Sequence, residues 1–136
     1  MFLICSEGLS SLFRSRVRTG HLKGAQVSRG APSITHLLFA DDCLIFGEAS
    51  TQGATIISNI LSHYSSCSGQ LINFDKSGVF FSSNVSDFNK SEICRIIGVH
   101  STSNPERYLG FPPIVGRNKK AAFADLHGKF IKRCAG

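Results

Sequence analysis

The sequence predicts an α+β fold, an antiparallel sheet with helices on one face. Three observations predict it. Two short apolar runs are separated only by Asp41-Asp42, apolar side chains recur at helical spacing in several other stretches, and glycine or proline punctuates the intervals. The expected order is helix, β-hairpin, helix, strand, helix, short strand, helix.

Phe2, Leu3, Leu9, Leu12 and Phe13 recur at helical spacing, which predicts a helix over residues 1–13. Gly20, Gly24, Gly30 and Pro32 then mark a region of turns and extended chain. The runs Ile34 to Ala40 and Cys43 to Gly47 are rich in Leu, Ile and Phe and read as a hairpin of buried strands. Over residues 50–67, Ile56, Ile57, Ile60, Leu61 and Tyr64 share one helix face. Ser50 or Thr51 can cap the start of that helix, and Gly69 stands where a terminating glycine belongs. Val79 to Phe81 reads as a short strand. Residues 87–97 read as a helix after Ser86, closed by Gly98, with Phe88, Ile93, Ile96 and Ile97 inward. Tyr108 to Phe111 is a short extended piece stopped by Pro112-Pro113, and residues 118–134 return to the helical pattern through Phe123, Leu126, Phe130 and Cys134.

Composition narrows the class. The 136 residues are 42% apolar and 18% charged, with a mean hydropathy of +0.05. That is a globular balance and excludes an acidic disordered chain, a collagen or a mucin-like stalk. No apolar run approaches the roughly eighteen residues of a membrane span. Met1 to Cys5 has no basic flank and is too short for a secretion signal. It reads as a helix entered in its middle, so the chain is expected to be a fragment. Cys5, Cys43, Cys67, Cys94 and Cys134 are odd in number, widely spaced and without a C-x-x-C pair. A disulfide framework or zinc knuckle is therefore not expected, and a reducing compartment is the default. The histidines form no H-x₃-H pair and, like most of the cysteines, read as packing or surface residues.

The net charge of +6 is unevenly spread. Residues 1–40 carry Arg14, Arg16, Arg18, Lys23 and Arg29 against Glu7, and residues 105–136 carry Arg107, Arg117, Lys119, Lys120, Lys129, Lys132 and Arg133 against Glu106 and Asp125. Clustered cations suit a polyanion such as nucleic acid, although a soluble basic surface explains them equally well.

Asp41-Asp42 is the most informative dipeptide. Adjacent carboxylates at a hairpin tip repel one another unless a cation sits between them. Mg²⁺ suits such a pair, because it takes carboxylate oxygens together with substrate phosphates. Two such ions about 3.5–4 Å apart would activate a 3′-hydroxyl and stabilise a departing pyrophosphate. An ordinary Asp-containing turn is the competing explanation.

Phe39-Ala40-Asp41-Asp42, within His36-Leu-Leu-Phe-Ala-Asp-Asp-Cys-Leu-Ile-Phe46, resembles the aromatic-x-Asp-Asp signature of reverse transcriptases, in the form found in non-LTR (LINE-type) retrotransposons, especially those of plants. The resemblance continues along the chain. Phe2-Leu-Ile-Cys-Ser-Glu-Gly-Leu-Ser10 is similar to the helix after that family's template-contacting segment, and Ser68-Gly-Gln-Leu-Ile-Asn-Phe-Asp-Lys-Ser77 resembles its next palm motif. Arg107-Tyr-Leu-Gly-Phe-Pro112 resembles the primer-grip segment, and Gly116-Arg-Asn-Lys119 resembles the family's stretch just beyond that grip.

The resemblance implies a partial palm over residues 1–82. Residues 83–136 would then be the end of the palm, the primer-grip-like segment at 107–112 and the start of a helical thumb or connection. It implies Asp41 and Asp42 as catalytic Mg²⁺ ligands, and Lys76 as the motif lysine that protonates pyrophosphate or orders the triphosphate. Tyr108, Leu109 and Gly110 would position the primer end, and Arg117, Lys119 and Lys120 would contact nucleic-acid phosphate. RNA template, DNA primer and dNTP would be the partners, with no membrane. From residue type alone, Lys76 is equally a solvated lysine, Tyr108 to Gly110 an edge strand, and the basic helix a charged outer face.

The family's third catalytic Asp, its Gly-rich template segment and its fingers have no counterpart in these 136 residues. Glu7, Glu48 and Asp75 lack the family's surrounding motif. Losing one ligand of a two-metal centre costs several kcal/mol, and each 1.36 kcal/mol is about tenfold in rate, so negligible polymerase activity is expected from this chain alone. The alternatives are a non-catalytic basic nucleic-acid-binding module, or a degenerate retrotransposon relic whose exposed Phe and Ile favour aggregation.

Overall fold

A computed structural model describes residues 2–26 and 28–102. The chain opens with helix α1 (Phe2–Arg18), longer than the periodicity predicts. Its extra turn carries Arg14, Arg16 and Arg18, which have no apolar signature but are good helix formers. Arg14 reaches back to pair with Glu7. The helix stops where Gly20 takes φ 73°, while the N–H groups of His21 and Leu22 donate to the carbonyl of Arg16. That turn delivers Leu22 to the core.

A hairpin forms from β1 (His36–Phe39) and β2 (Asp42–Ile45), antiparallel with Leu38 opposite Cys43 and Phe39 opposite Asp42. Its turn falls one residue earlier than the expected Asp41-Asp42, so that Asp42 opens β2 instead of lying in the loop. Its strands are not buried, however. Exposure alternates along β1, leaving Leu37 43% and Phe39 56% exposed. The pair has one packed face, from which Leu38 and Ile45 reach the core, and one bare face. Continuous apolar runs conceal this, because both faces carry apolar side chains.

Helix α2 (Thr51–Ser68) matches its expected caps: the Ser50 hydroxyl accepts from the Gly53 N–H at 3.1 Å, and Gly69 closes the helix at φ 71°. Such a serine cap contributes about 1 kcal/mol. Ile57, Ile60 and Leu61 are buried, and they join Leu9, Phe13 and Leu22 in one cluster flanked by Leu12, Ile56, Tyr64 and Ile72. The α2 stripe is thus the floor on which α1 lies.

A 3₁₀ turn at Phe74–Lys76 comes next, unforeseen in the sequence, and is capped by the Asn73 side chain, which accepts from the Lys76 N–H at 3.1 Å. Helix α3 (Asp87–Ile97) has Ser86 as its cap and Gly98 at φ 82° as its stop, as expected. It packs on α2, and its Ile93 is buried. Phe88 is a correction, being 75% exposed. Five residues at 100° each place it about 140° round the helix from Ile93, so it cannot share that face.

The expected single antiparallel sheet is corrected as well. β3 (Gly78–Val79) pairs with β4 (His100–Ser101) in parallel, as a separate two-stranded piece beside α3. The helix between these strands is the crossover that parallel pairing requires. The architecture is mixed, three helices with one antiparallel and one parallel strand pair, compatible with the α+β class. The described residues up to Ser101 form one compact unit. No helix among the described residues is long and apolar enough to cross a membrane.

Candidate functional site

The twin acids stand where the hairpin reverses. Phe39 and Asp42 pair across the strands, so Ala40 and Asp41 are the two residues of the loop. Both carboxylates are exposed. Ala40 holds φ 49°, a left-handed conformation that costs a residue with a β-carbon about 1–2 kcal/mol. Two-residue hairpin loops demand such angles because they match the strand twist, and Asn or Gly is the usual occupant. The tip is thus a tight, strained turn that carries adjacent carboxylates outward.

The hairpin's base is anchored through His36. Its ring stacks on Phe13 at 5.0 Å with an interplanar angle of 23°. Nε2 is bonded to the Ser10 hydroxyl at 2.8 Å and Nδ1 to the Thr35 hydroxyl at 3.0 Å. In a neutral imidazole one nitrogen donates and the other accepts, and each hydroxyl takes the complementary role. Burial and then the nearby Arg14 charge, outweighing Glu7, hold the His36 pKa below its ordinary 6.5. The folded protein therefore resists protonating this ring more than the unfolded chain does. His36 contributes stability that is fully present above the unfolded value of 6.5 and is lost as pH falls through the lower folded value. Urea titrations at about pH 7.5 and about pH 5.5 should show the native chain losing stability on acidification, and His36→Gln losing less.

Cys43, next to Asp42, keeps a largely exposed residue surface, yet burial around its thiol pushes the pKa up to about 11. Burial thus favours the neutral thiol at this position.

Lys76 is exposed in the 3₁₀ turn after α2, on a different element from the aspartates. Among the described residues no ion pair or hydrogen bond joins its ammonium to either one. Gln70, in the same Ser68–Ser77 segment, accepts a hydrogen bond from the Tyr64 hydroxyl, which ties that segment back to α2. Glu7 and Glu48 are engaged elsewhere, with Arg14 and with Lys23 at 4.0 Å. Tyr108, Leu109, Gly110, Arg117, Lys119, Lys120 and the helix expected over 118–134 lie outside the described residues.

Carboxylate oxygens are the donors that a hard cation takes. No cluster of three or more His, Cys, Asp or Glu able to hold a metal occurs among the described residues.

Over 42 residues the chain is 50% identical to an uncharacterized mitochondrial protein of Arabidopsis thaliana. The match covers 31% of this chain and 34% of that protein, so the chain spans about a third of the length of the relative it resembles. No protein-family profile matches the chain. No solved structure matches it.

Proposed function

We propose that this chain is a palm segment of an RNA-directed DNA polymerase of the non-LTR retrotransposon type, inactive by itself. The observation that carries the reading is the conformation of Phe39-Ala40-Asp41-Asp42. A two-residue turn whose Ala40, not the usual glycine or asparagine, takes φ 49° leaves two adjacent acids exposed at the end of the hairpin. Strain of this kind clusters at functional sites, where it fixes side chains in place. The ordered sequence resemblances on either side of the hairpin add to it.

In this reading Asp41 and Asp42 hold part of a Mg²⁺ shell. When bound, the cation would activate a primer 3′-hydroxyl and stabilise the leaving pyrophosphate. The chain's own contribution is orientation. The His36 anchor and the Leu38 and Ile45 contacts fix the hairpin base, and the tight loop fixes the two acids. Lys76 would act on the triphosphate from the 3₁₀ turn, and RNA template, DNA primer and dNTP would be the partners.

Two experiments test this. Primer extension by the full chain on an RNA template, with Mg²⁺ or Mn²⁺, should yield no product above background. Product that vanished in Asp41→Ala would show a self-sufficient enzyme and overturn the inactivity. The DNA upstream of the Met1 codon, translated in every frame, should encode an Asp-bearing strand and a Gly-rich segment, intact or decayed. If no frame does, the polymerase parentage is lost.

A further inference from the structure

We propose that His63 and Cys67, on the exposed face of α2, form a two-ligand site for a borderline-soft divalent cation such as Zn²⁺. The inference is independent of the hairpin and of the polymerase reading. The two residues are four apart on one helix, so their side chains lie over the same patch of surface. Both are exposed, and Nε2 of His63 stands 3.8 Å from Sγ of Cys67. Zn–N bonds of 2.0–2.1 Å and a Zn–S bond of 2.3 Å, set at the tetrahedral angle, require an N···S separation of about 3.6 Å. The pair is already open to that span without a backbone change.

The surroundings favour a cation. Cys67 lies in the last turn of α2, where unpaired carbonyls give the helix its negative end, and that turn carries no basic side chain. Imidazole and thiolate together select Zn²⁺ over Mg²⁺ or Ca²⁺, which take oxygen. Coordination replaces the present thiol–imidazole contact. The Cys67 proton leaves to solvent, the thiolate and neutral Nε2 each donate a lone pair, and water completes the tetrahedron. The Ser66 hydroxyl donates to the His63 carbonyl at 2.8 Å and stands 3.9 Å from Cys67 Sγ, a weak contact that metal binding would give up.

The test measures alkylation of each cysteine by iodoacetamide in the reduced full chain, mapped by peptide mass, with and without Zn²⁺. At free Zn²⁺ about ten times the dissociation constant, the metal-free fraction and with it the Cys67 rate should fall about tenfold. Cys43, on β2 and with its thiol held up by burial, should react slowly and change little. The protection of Cys67 should disappear in His63→Gln, whose helix content is checked by far-UV circular dichroism. Equal rates at Cys67 with and without Zn²⁺ would overturn the site. So would protection shared equally by Cys43, a result that needs no variant, or protection that survives in a folded His63→Gln.

Discussion

Phe13→Ala is expected to remove a large share of the domain's stability. Phe13 is 0% exposed, the most completely buried large side chain among the described residues. It lies among Leu9, Leu22, Ile57, Ile60 and Leu61, and its ring carries His36. Truncation removes the transfer energy of the ring and leaves a cavity, together about 3–5 kcal/mol. Small domains have only about 5–15 kcal/mol in total. The loss also frees the His36 ring, and with it the anchor of the hairpin. Urea unfolding followed by far-UV circular dichroism should show the midpoint collapse in Phe13→Ala and fall less in Phe13→Leu, which keeps much of the volume. A loss under about 1 kcal/mol would mean that Phe13 is not the centre of the core.

Helices are the most legible part of the fold, because their signals are local. Ser50, Gly69, Ser86 and Gly98 each cap as their residue types foretell, and the Ile57, Ile60, Leu61 stripe faces inward. The illegible features depend on partners distant in sequence. Nothing near Gly78 or His100 announces that two-residue strands will pair in parallel across α3. Nothing in the run Leu37 to Phe39 announces that one face of the hairpin stays bare. Phe88 differs from these, since its place on the helical wheel is readable and sets it away from Ile93, whatever its hydrophobicity suggests.

The candidate site divides in the same way. That the chain reverses near Asp41 is legible in two apolar runs flanking a polar dipeptide, but the loop is Ala40-Asp41 and Asp42 already pairs in β2. The left-handed Ala40 is hidden, because alanine carries none of the usual sequence marks of that conformation. His36 looks like the first residue of a strand, whereas its hydroxyl partners Ser10 and Thr35 and its stacking on Phe13 make it the joint between α1 and β1. The His63–Cys67 spacing is visible in the sequence, four residues apart in a stretch that reads as helix. A search for paired histidines or paired cysteines alone passes over it.

Gly24→Ala is expected to damage the fold more than the same exchange at Gly8, Gly47 or Gly53, by breaking the link that aims the hairpin. A β-carbon at this position would lie 2.3 Å from the Ile34 carbonyl oxygen and 2.6 Å from its carbon. Both are backbone atoms, so no side chain can swing aside. The two segments are held together by a reciprocal pair of hydrogen bonds, Ala25 N–H to Ile34 O and Ile34 N–H to Ala25 O, each 2.8 Å. Making room for the methyl group means parting them, at about 0.5–1.5 kcal/mol for each bond, with overpacking strain of about 1–3 kcal/mol as the alternative. Thr35 and His36 come directly after Ile34, so the displacement passes into the base of β1. Gly8→Ala is the contrasting case. That glycine lies inside α1 with nothing within 4 Å of the added carbon, and alanine should raise stability by about 0.5–1 kcal/mol. Urea midpoints for the two variants should move in opposite directions. Amide exchange in Gly24→Ala should quicken first at Ala25 and Ile34. If those amides stay protected while stability is unchanged, the chain accommodates a side chain at position 24 by another route, and the Ala25–Ile34 bridge is not what sets the hairpin's direction.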